Sequence, residues 1–359
     1  MRRAQYGGIL SKGDRDLKKL ALMALVVAMV FSSVAVATAA PITWVTQSVF
    51  STQLALGKMY LNWAKKVEEM SGGRMKVETH GEGEITPPAS TFESVRDGVI
   101  DAAMNTPAWQ KGIYPAGDLF YTLPGGVTET LDLLVWAYTD GAKLQQEMYG
   151  NNVIVFPLGI TPPETIWSTK EIKTLEDFKG LKMRSSGLCM ELFTKMGVSV
   201  VQLPGGEVVP ALRRGVIDAA EFAFPSMDEG LGIHEVAKFV IVPPIHMGSN
   251  MFQLFINPKK WNELPADLKA VVKNAAAAAT IETYAELMKD QAGVFERFEK
   301  AGVKIIKLSK EDQAKVAEMS IQILEEKSKT NEWFGKIWAS QKKQLKDIGR
   351  YLSAVGFDK

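Results

Sequence analysis

The amino-acid sequence predicts an α/β protein with two lobes, mostly parallel sheets and a hinged cleft between the lobes. Strand-like runs alternate with helical stripes along most of the chain, which is the order of a sheet with helices on its faces. The hexapeptide GVIDAA occurs at 98–103 and again at 215–220. About 320 residues follow the N-terminal segment, a length that suffices for two lobes that each have a core.

The N-terminal segment, positions 1–39, has the order of a secretory signal peptide. A region with six basic residues precedes the apolar run LALMALVVAMVFSSVAVA, and small residues follow it. A cut between Ala39 and Ala40 is predicted, which would release a soluble periplasmic protein. An uncleaved membrane anchor is the alternative, because the apolar run is nearly long enough to span a bilayer.

The composition after this segment excludes several classes of partner. Removal of its six basic and two acidic residues leaves 36 basic and 39 acidic residues, a net charge of −3. This balance argues against nucleic acid or an anionic membrane surface as a partner. Cys189 is the only cysteine, so no disulfide can form within the chain and stability must come from burial.

The first lobe begins with three predicted strands separated by two helices. ITWVTQSVF alternates like a strand, and the following stretch has a helical apolar stripe that ends at Gly72 and Gly73. RMKVETH is the second strand. ASTFESVRDG is a short helix that stops at Gly98, and VIDAAM is the third strand.

The same order returns around the second hexapeptide. Thr174 and Asp177 predict a capped turn before the strand LKMR, and MELFTKMG and VSVVQL follow as helix and strand. PGGEVVPALRRG reads as a helix in which Pro210 should lie in the first turn, since proline breaks a helix interior. VIDAAEF is the next strand.

The predicted domain organisation is discontinuous, because no low-complexity linker separates the lobes and the chain must cross between them more than once. Its parts are a signal peptide at 1–39, lobe 1 at 40–160 and about 250–290, lobe 2 at 161–249 and about 291–330, and a C-terminal helix at about 331–359.

Candidate ligand-binding residues follow the two copies of the repeat. In open α/β sheets the ligand crevice lies beyond the carboxyl ends of the strands. The first copy is followed by MNTPAW, which contributes Asn105, Thr106 and Trp109, and the second is followed directly by Glu221 and Phe222. If the lobes face each other, both segments line one cleft.

Two charged residues near these strand ends each allow two interpretations. Arg184 ends the strand LKMR, so it is either a solvated surface charge or a guanidinium that binds a carboxylate in two-pronged fashion. Glu221 either emerges into solvent or is a buried carboxylate that needs a cation or Arg184 as its partner.

Several motifs resemble one known family. GLKMRSSG, GVSVVQLPGGEVVPALRRGVIDAAEF and VAKFV, together with SVRDGVIDAA and the signal peptide, resemble the periplasmic solute-binding subunits of TRAP transporters over essentially the whole mature chain. PGGE and DAAEF are most similar to the 2-oxoacid-binding branch, which carries PGGE and DAAEW. The resemblance implies a periplasmic binding protein fold of the type II-like class. It also implies delivery of an organic acid to a sodium-driven membrane permease.

The resemblance also implies roles for individual residues. Arg184 falls on the carboxylate-binding arginine of the family, and Glu221 and Phe222 fall on the pair that holds a metal cation in this branch. There the glutamate binds through its side chain and the aromatic residue partly through its backbone carbonyl. No cofactor is implied to be obligatory, whereas a sodium or calcium ion can bridge to the substrate carboxylate.

The sequence departs from the branch at three positions of the expected cleft. Phe222 replaces a tryptophan, Pro163 replaces a glutamine with Thr161 and Glu164 beside it, and Met247 replaces a second glutamate. The cleft has therefore lost indole, amide and carboxylate groups, which predicts a ligand tail that is aromatic or branched aliphatic. The candidate substrate-binding residues are Arg184, Phe222, Trp109, Asn105, Thr106, Glu164 and Met247.

The predicted function is that of a periplasmic receptor for a small organic monocarboxylate, a 2-oxo or 2-hydroxy acid, and not of an enzyme. A receptor for an ABC importer or a sensor remains an alternative. A periplasmic enzyme is a further alternative in which Cys189 is the nucleophile, although a buried apolar role is more common for such a cysteine. His80, His234 and His246 are widely separated and lack metal-ligand spacing.

The C-terminal segment has an apolar helical stripe that predicts either packing on its own chain or a homodimer. Its members are Trp333, Phe334, Ile337, Trp338, Leu345, Ile348 and Leu352. Related receptors of the branch pair through C-terminal helices.

Overall fold

The computed structural model describes Met23, residues 40–121 and residues 129–356. Apart from Met23, the predicted signal peptide and its cut after Ala39 lie outside the described residues. The strands, in chain order, are β1 (Ile42–Ser48), β2 (Met75–His80), β3 (Ala102–Asn105), β4 (Ile154–Ile160), β5 (Ile166–Ser168), β6 (Lys182–Arg184), β7 (Ser199–Val201), β8 (Ala219–Glu221), β9 (Phe239–Val242), β10 (Met251–Ile256) and β11 (Lys304–Lys307).

These strands form two sheets with related topology. The first has the order β2-β1-β3-β10-β4 and the second β11-β9-β5-β8-β6-β7. In each sheet three parallel strands, β2-β1-β3 or β7-β6-β8, are extended by a strand that runs antiparallel to them, β10 or β5. The predicted mixed α/β architecture is confirmed. The antiparallel share is larger than expected, since four of the nine described strand pairings are antiparallel.

Helices cover the faces of both sheets. They are α1 (Ala55–Met70), α2 (Thr91–Arg96), α3 (Thr130–Ala137), α4 (Asp140–Tyr149), α5 (Cys189–Lys195), α6 (Gly205–Arg213), α7 (Pro225–Gly230), α8 (Ile233–Val236), α9 (Pro258–Glu263), α10 (Ala266–Asp290), α11 (Val294–Lys300), α12 (Lys310–Thr330) and α13 (Glu332–Ala354). Among the described residues, no helix combines the length and apolar character that a bilayer crossing requires.

Local sequence signals explain where several of these elements begin. The predicted capping box of Thr174 and Asp177 is present, and the Ser309 hydroxyl accepts a hydrogen bond from the Asp312 amide at the start of α12. Pro210 differs from the prediction, because it is the sixth residue of α6 and not part of the first turn. The helix tolerates it because Pro210 and Gly206, whose carbonyl loses its partner, are both exposed, so water can satisfy that oxygen.

The repeated hexapeptide has the same structural role in both sheets. Asp101 accepts a hydrogen bond from the Val45 amide at 2.8 Å and donates its own amide to the Val45 carbonyl. Asp218 does the same with Lys182, at 3.0 Å for the carboxylate contact. The preceding Gly215 has φ of +69°, a conformation that glycine adopts without strain. Each copy therefore ties one parallel strand to its neighbour, β3 to β1 and β8 to β6.

The chain passes between the sheets where one strand ends in one sheet and the next begins in the other. The segment 161–165 joins β4 to β5, and the segment 243–250 joins β9 to β10. We call these two segments the crossing segments. The first sheet thus takes its strands from 42–160 and 251–256, and the second from 166–242 and 304–307, while the lobe boundaries given above stay a prediction.

Candidate functional site

A cleft of about 490 Å³ lies where the ends of strands from both sheets meet. The carboxyl ends of β3 and β8 reach this edge, as do the amino ends of β10 and β5, because β10 and β5 are antiparallel to their neighbours. The aromatic side chains that line the cleft are Phe50, Trp109, Tyr121, Phe222, Phe224 and Phe252. The polar lining near the strand ends comprises Thr106, Thr161, Glu164, Arg184, Ser186 and Asn250.

Arg184 brings a buried positive charge to the wall of this cleft. Arg184 is only 8% exposed, and three acceptors hold its side chain. Its Nε donates to the Leu203 carbonyl at 3.2 Å, and its Nη1 donates to the backbone carbonyl and the carboxylate of Glu221 at 2.6 and 2.9 Å. Within the described residues, Nη2 donates no hydrogen bond. A ligand carboxylate can therefore bind Nη2 directly, whereas a two-pronged contact requires Nε to exchange its longer bond to Leu203.

Glu221 is a buried carboxylate, which decides between its two interpretations. It is 1% exposed, and its two carboxylate oxygens accept hydrogen bonds from Arg184 Nη1 and from the Ser186 amide, the latter at 2.8 Å. These bonds offset part of the cost of taking the charge out of water. Glu221 therefore orients the guanidinium that faces the cleft.

Phe222 and the start of α6 form the floor next to Arg184. The guanidinium carbon lies 5.1 Å from the centre of the Phe222 ring, within cation–π range. A Cβ at Gly205 would overlap that ring, so the first glycine of PGGE leaves the space that Phe222 occupies. Gly205 and Gly206 line the cleft at the N-terminus of α6, where unpaired amides and the helix dipole favour an anion.

The predicted residues of the first sheet are divided between the cleft and the interior. Thr106 and Trp109 line the cleft, and the buried Thr106 hydroxyl has no hydrogen-bond partner among the described residues. Asn105 lies outside the cleft lining and is fully buried, because it is still part of β3, and its side-chain oxygen accepts the Thr106 amide at 2.7 Å. Asn105 thus positions the loop that carries Thr106.

The crossing segments bring together residues that are far apart in the sequence. Glu164 is buried at the cleft wall and accepts a hydrogen bond from the Asn250 side-chain amide. Thr161 and Asn250 exchange two further bonds of 3.0 Å, from the Thr161 amide to the Asn250 carbonyl and from the Asn250 amide to the Thr161 hydroxyl. His246 lies behind Glu164, with 3.4 Å between its Nε2 and a Glu164 carboxylate oxygen.

Met247 does not line the cleft, although the family resemblance placed it there. The residue lies outside the cleft lining, is 1% exposed and belongs to the main apolar core. Burial of an unbranched apolar side chain in the core is energetically favourable, so the chain turns Met247 inward. The position next to it, His246, supplies the polar group near the cleft instead.

The pKa values of Glu164 and the neighbouring Tyr121 are raised. Burial raises the pKa of the Glu164 carboxyl, His246 lowers it, and the nearby charge of Glu221 raises it further. Burial, reinforced by Glu164 and Glu221, also raises the pKa of Tyr121 well above its usual value, so its hydroxyl stays neutral and can donate to a bound anion.

Asn250 and His246 are the residues that sequence reasoning missed as members of one cluster. Asn250 precedes β10, and His246 follows β9 four residues after its end. A search after the carboxyl ends of parallel strands overlooks a residue before the amino end of an antiparallel strand. The sequence does not reveal that β10 runs antiparallel to β3. The only sequence signal for a site residue here is the polar pair Ser249 and Asn250 directly before the apolar run MFQLFI.

Cys189, the candidate nucleophile of the enzyme alternative, is unsuited to that role. It is fully buried, and its thiol lies 3.7 Å from the His246 carbonyl. Burial, followed by the charges of Glu221 and Glu164, raises the pKa of the thiol well above its usual value, so the nucleophilic thiolate is disfavoured.

Comparison with known proteins identifies the family of this chain. The family described as bacterial extracellular solute-binding protein, family 7, matches residues 47–330 of the chain. The chain belongs to this family. This solute-binding protein is 32% identical over 288 residues to a monocarboxylate 2-oxoacid-binding periplasmic protein of Nostoc sp., with 79% of each chain covered. Its family and solved relatives are substrate-binding proteins of transport systems.

Two solved TRAP transporter solute-binding proteins have closely similar folds. One, from Bordetella bronchiseptica, has a TM-score of 0.82 and 25% identity, covers 88% of this chain and 95% of its own, and was described as a dimer with calcium and picolinate in one site. The other, from Pseudoalteromonas atlantica, has a TM-score of 0.81 and 26% identity, covers 87% and 96%, and was described with sodium and pyruvate.

The C-terminal stripe of this solute-binding protein packs on its own chain. Phe334, Ile337 and Trp338 of α13 are buried, and the Gln341 side chain donates to the Leu119 carbonyl at 2.7 Å. Trp333, Leu345, Ile348 and Leu352 of the stripe are only half-buried, and the homodimer stays a prediction.

Proposed function

We propose that this solute-binding protein is the receptor for a small organic monocarboxylate, a 2-oxo or 2-hydroxy acid with an apolar or aromatic tail, and that it delivers this acid to a TRAP permease. The observation that carries the proposal is the guanidinium of Arg184. It lies in the cleft wall, is buried and is held in place by Glu221 and the Leu203 carbonyl, and within the described residues its Nη2 donates no hydrogen bond. A fixed, desolvated guanidinium is suited to a carboxylate.

The shape and chemistry of the rest of the cleft support an apolar tail. Trp109, Phe222 and Phe252 offer flat apolar walls beyond the polar groups at the strand ends. For a ligand of about 8 to 12 heavy atoms at roughly 0.7 to 1 kcal/mol each, an affinity near micromolar or tighter is expected. Picolinate and pyruvate, named for the two solved relatives, are both monocarboxylates.

Closure of the cleft is the proposed binding mechanism. Ligand groups from the first sheet, Thr106 and Trp109, meet groups from the second, Arg184 and Phe222, across the cleft. A ligand held by both sides favours the closed state, in which water is excluded and the carboxylate–guanidinium attraction is stronger. The crossing segments would act as the hinge.

A ligand screen tests this proposal. Pyruvate, lactate, phenylpyruvate, phenyllactate and picolinate would be compared by thermal shift and then by isothermal titration calorimetry, with malonate and glucose as controls. We expect phenylpyruvate or phenyllactate to bind more tightly than pyruvate, since only their tails reach the aromatic walls. If no monocarboxylate raises the melting temperature, or if malonate binds best, the proposed ligand class is wrong.

A further inference from the structure

A cluster of buried side chains at the cleft wall has the composition of a metal site. One donor atom each from Glu164, Glu221 and His246 lie within 4.8 Å of one another, and all three residues are buried. Glu164 also lines the cleft, so the cluster is at its wall and not in a separate part of the core. These residues come from the two crossing segments and from the end of β8.

Two of the three side chains lack the hydrogen bonds that their burial requires. His246 is completely buried, yet among the described residues neither ring nitrogen forms a well-aligned hydrogen bond, and the Glu164 oxygen that lies 3.4 Å from Nε2 forms none either. Buried polar atoms without partners are costly and are therefore rare. A bound cation would satisfy the imidazole nitrogen and the carboxylate oxygen at the same time.

The donor set does not fit sodium or calcium, the ions named for the solved relatives. Calcium takes six to eight oxygen ligands, whereas the cluster offers the oxygens of only two carboxylates, those of Glu164 and Glu221. His246 offers a nitrogen, which hard cations disfavour and which zinc-like cations prefer. Three nitrogen and oxygen ligands from the protein, with a fourth position left open, match the pattern of zinc sites that bind a further ligand.

Geometry and charge favour the same class of ion. The 3.4 Å between His246 Nε2 and the Glu164 oxygen equals the separation of about 3.4 Å between two ligands that each lie about 2.1 Å from a tetrahedral zinc. With both carboxylates ionised, Arg184 leaves the cluster with one net negative charge, and a bound monocarboxylate adds a second. A divalent cation neutralises both, whereas a monovalent cation leaves one charge buried.

We propose that Glu164, Glu221 and His246 bind a divalent transition-metal cation of the zinc class, with the open coordination position at the cleft. The proposal rests on the proposed function only in that an anionic solute occupies this cleft. The sodium and calcium ions expected from the resemblance would then bind only weakly to this chain.

The experiment uses cobalt as a probe of the ligands. Tag-free protein is stripped with a chelator and titrated with Co²⁺, whose visible absorption intensity reports its coordination number and ligands. We expect one Co²⁺ per chain with the intense bands of a four- or five-coordinate site. Zn²⁺ should displace it, and excess Na⁺ or Ca²⁺ should not.

Variants then assign the ligands. His246→Asn and Glu164→Gln should each weaken Co²⁺ binding at least about 100-fold, because loss of a direct ligand exceeds the 10- to 100-fold cost of losing an outer partner. His80→Asn is the matched control, since His80 contacts Glu78 and Glu84 at the surface and could bind metal adventitiously. It should leave the tight site unchanged.

Three outcomes would overturn the proposal. These are the absence of a stoichiometric Co²⁺ site in the unmodified protein, tight binding that survives His246→Asn, and displacement of Co²⁺ by Ca²⁺ or Na⁺ at equal concentration. Calorimetric titration of the same samples with pyruvate and phenylpyruvate separates the two proposals. A cobalt site without acid binding contradicts only the proposed function, and acid binding without a cobalt site contradicts only the metal.

Discussion

Removal of Arg184 should affect both stability and ligand binding, and the structure separates the two effects. Arg184→Ala leaves the carboxylate of Glu221, which is 1% exposed, without the only charged hydrogen-bond partner that it has among the described residues. Loss of one member of a buried ion pair costs about 3 to 5 kcal/mol of unfolding free energy. The bound carboxylate loses the same guanidinium, which should cost a further 2 to 5 kcal/mol or so, roughly 30-fold to several-thousand-fold in affinity.

A double variant distinguishes a binding role of Arg184 from a purely structural one. In Arg184→Met/Glu221→Gln both charges are removed, so most of the lost stability should return, because apolar or neutral replacements of a buried ion pair are often tolerated. Ligand affinity should not return. Arg297→Ala is the matched control, since Arg297 also forms a two-pronged pair with Glu229 but lies outside the cleft lining.

The assay is urea unfolding for stability and calorimetric titration with the tightest acid of the screen for affinity. Arg297→Ala should retain full affinity. If the double variant binds the acid as tightly as the unmodified protein, or if Arg184→Ala loses stability but keeps its affinity, Arg184 is a structural residue and the proposed ligand position is wrong.

Two other substitutions test the floor of the site and Asp118, a buried carboxylate outside the cleft lining. Gly205→Ala should displace the Phe222 ring and weaken acid binding roughly 2- to 30-fold, the range expected for loss of a cation–π contact. Gly206→Ala is the control, because a Cβ at Gly206 meets no atom within 4 Å and should leave the affinity unchanged. Equal calorimetric affinities of the two variants would refute this role of Gly205. Burial raises the pKa of Asp118 to about 6, above its value in the unfolded chain. The charged carboxylate therefore lowers the free energy of unfolding progressively as the pH rises from about 4 to 6, by roughly 3 kcal/mol in total. Urea unfolding of Asp118→Asn should therefore show a stability gain over the unmodified protein that is larger at pH 7.5 than at pH 4.5, and a gain independent of pH would contradict the expectation.

Much of the fold follows from local sequence signals. The apolar stripe before Gly72 predicted a helix, and α1 forms there with Trp63 and Val67 of the stripe fully buried. The strand end at Arg184 and the glycine stops before β3 and β8 were predictable for the same reason, because they depend on periodicity and backbone preference within a few residues. The interior position of Pro210 was not predictable, since it depends on solvent reaching the Gly206 carbonyl.

The candidate site was predictable only in part, and the limit is topological. Arg184, Glu221 and Phe222 were found because they follow parallel strands, where a ligand crevice is expected. Asn250 and His246 were not grouped with them, because their approach depends on the antiparallel direction of β10 and on the path of the crossing segments.

The sequence by itself determined the elements, the glycine stops before the repeated strands and the arginine at a strand end, because each depends on neighbours along the chain. Only the tertiary structure decided that Met247 packs in the core, that Glu221 is paired with Arg184, and that His246 faces Glu164. Burial and hydrogen bonding between distant segments depend on which strand ends meet, and one-residue differences along an irregular segment decide which side chain reaches the cleft.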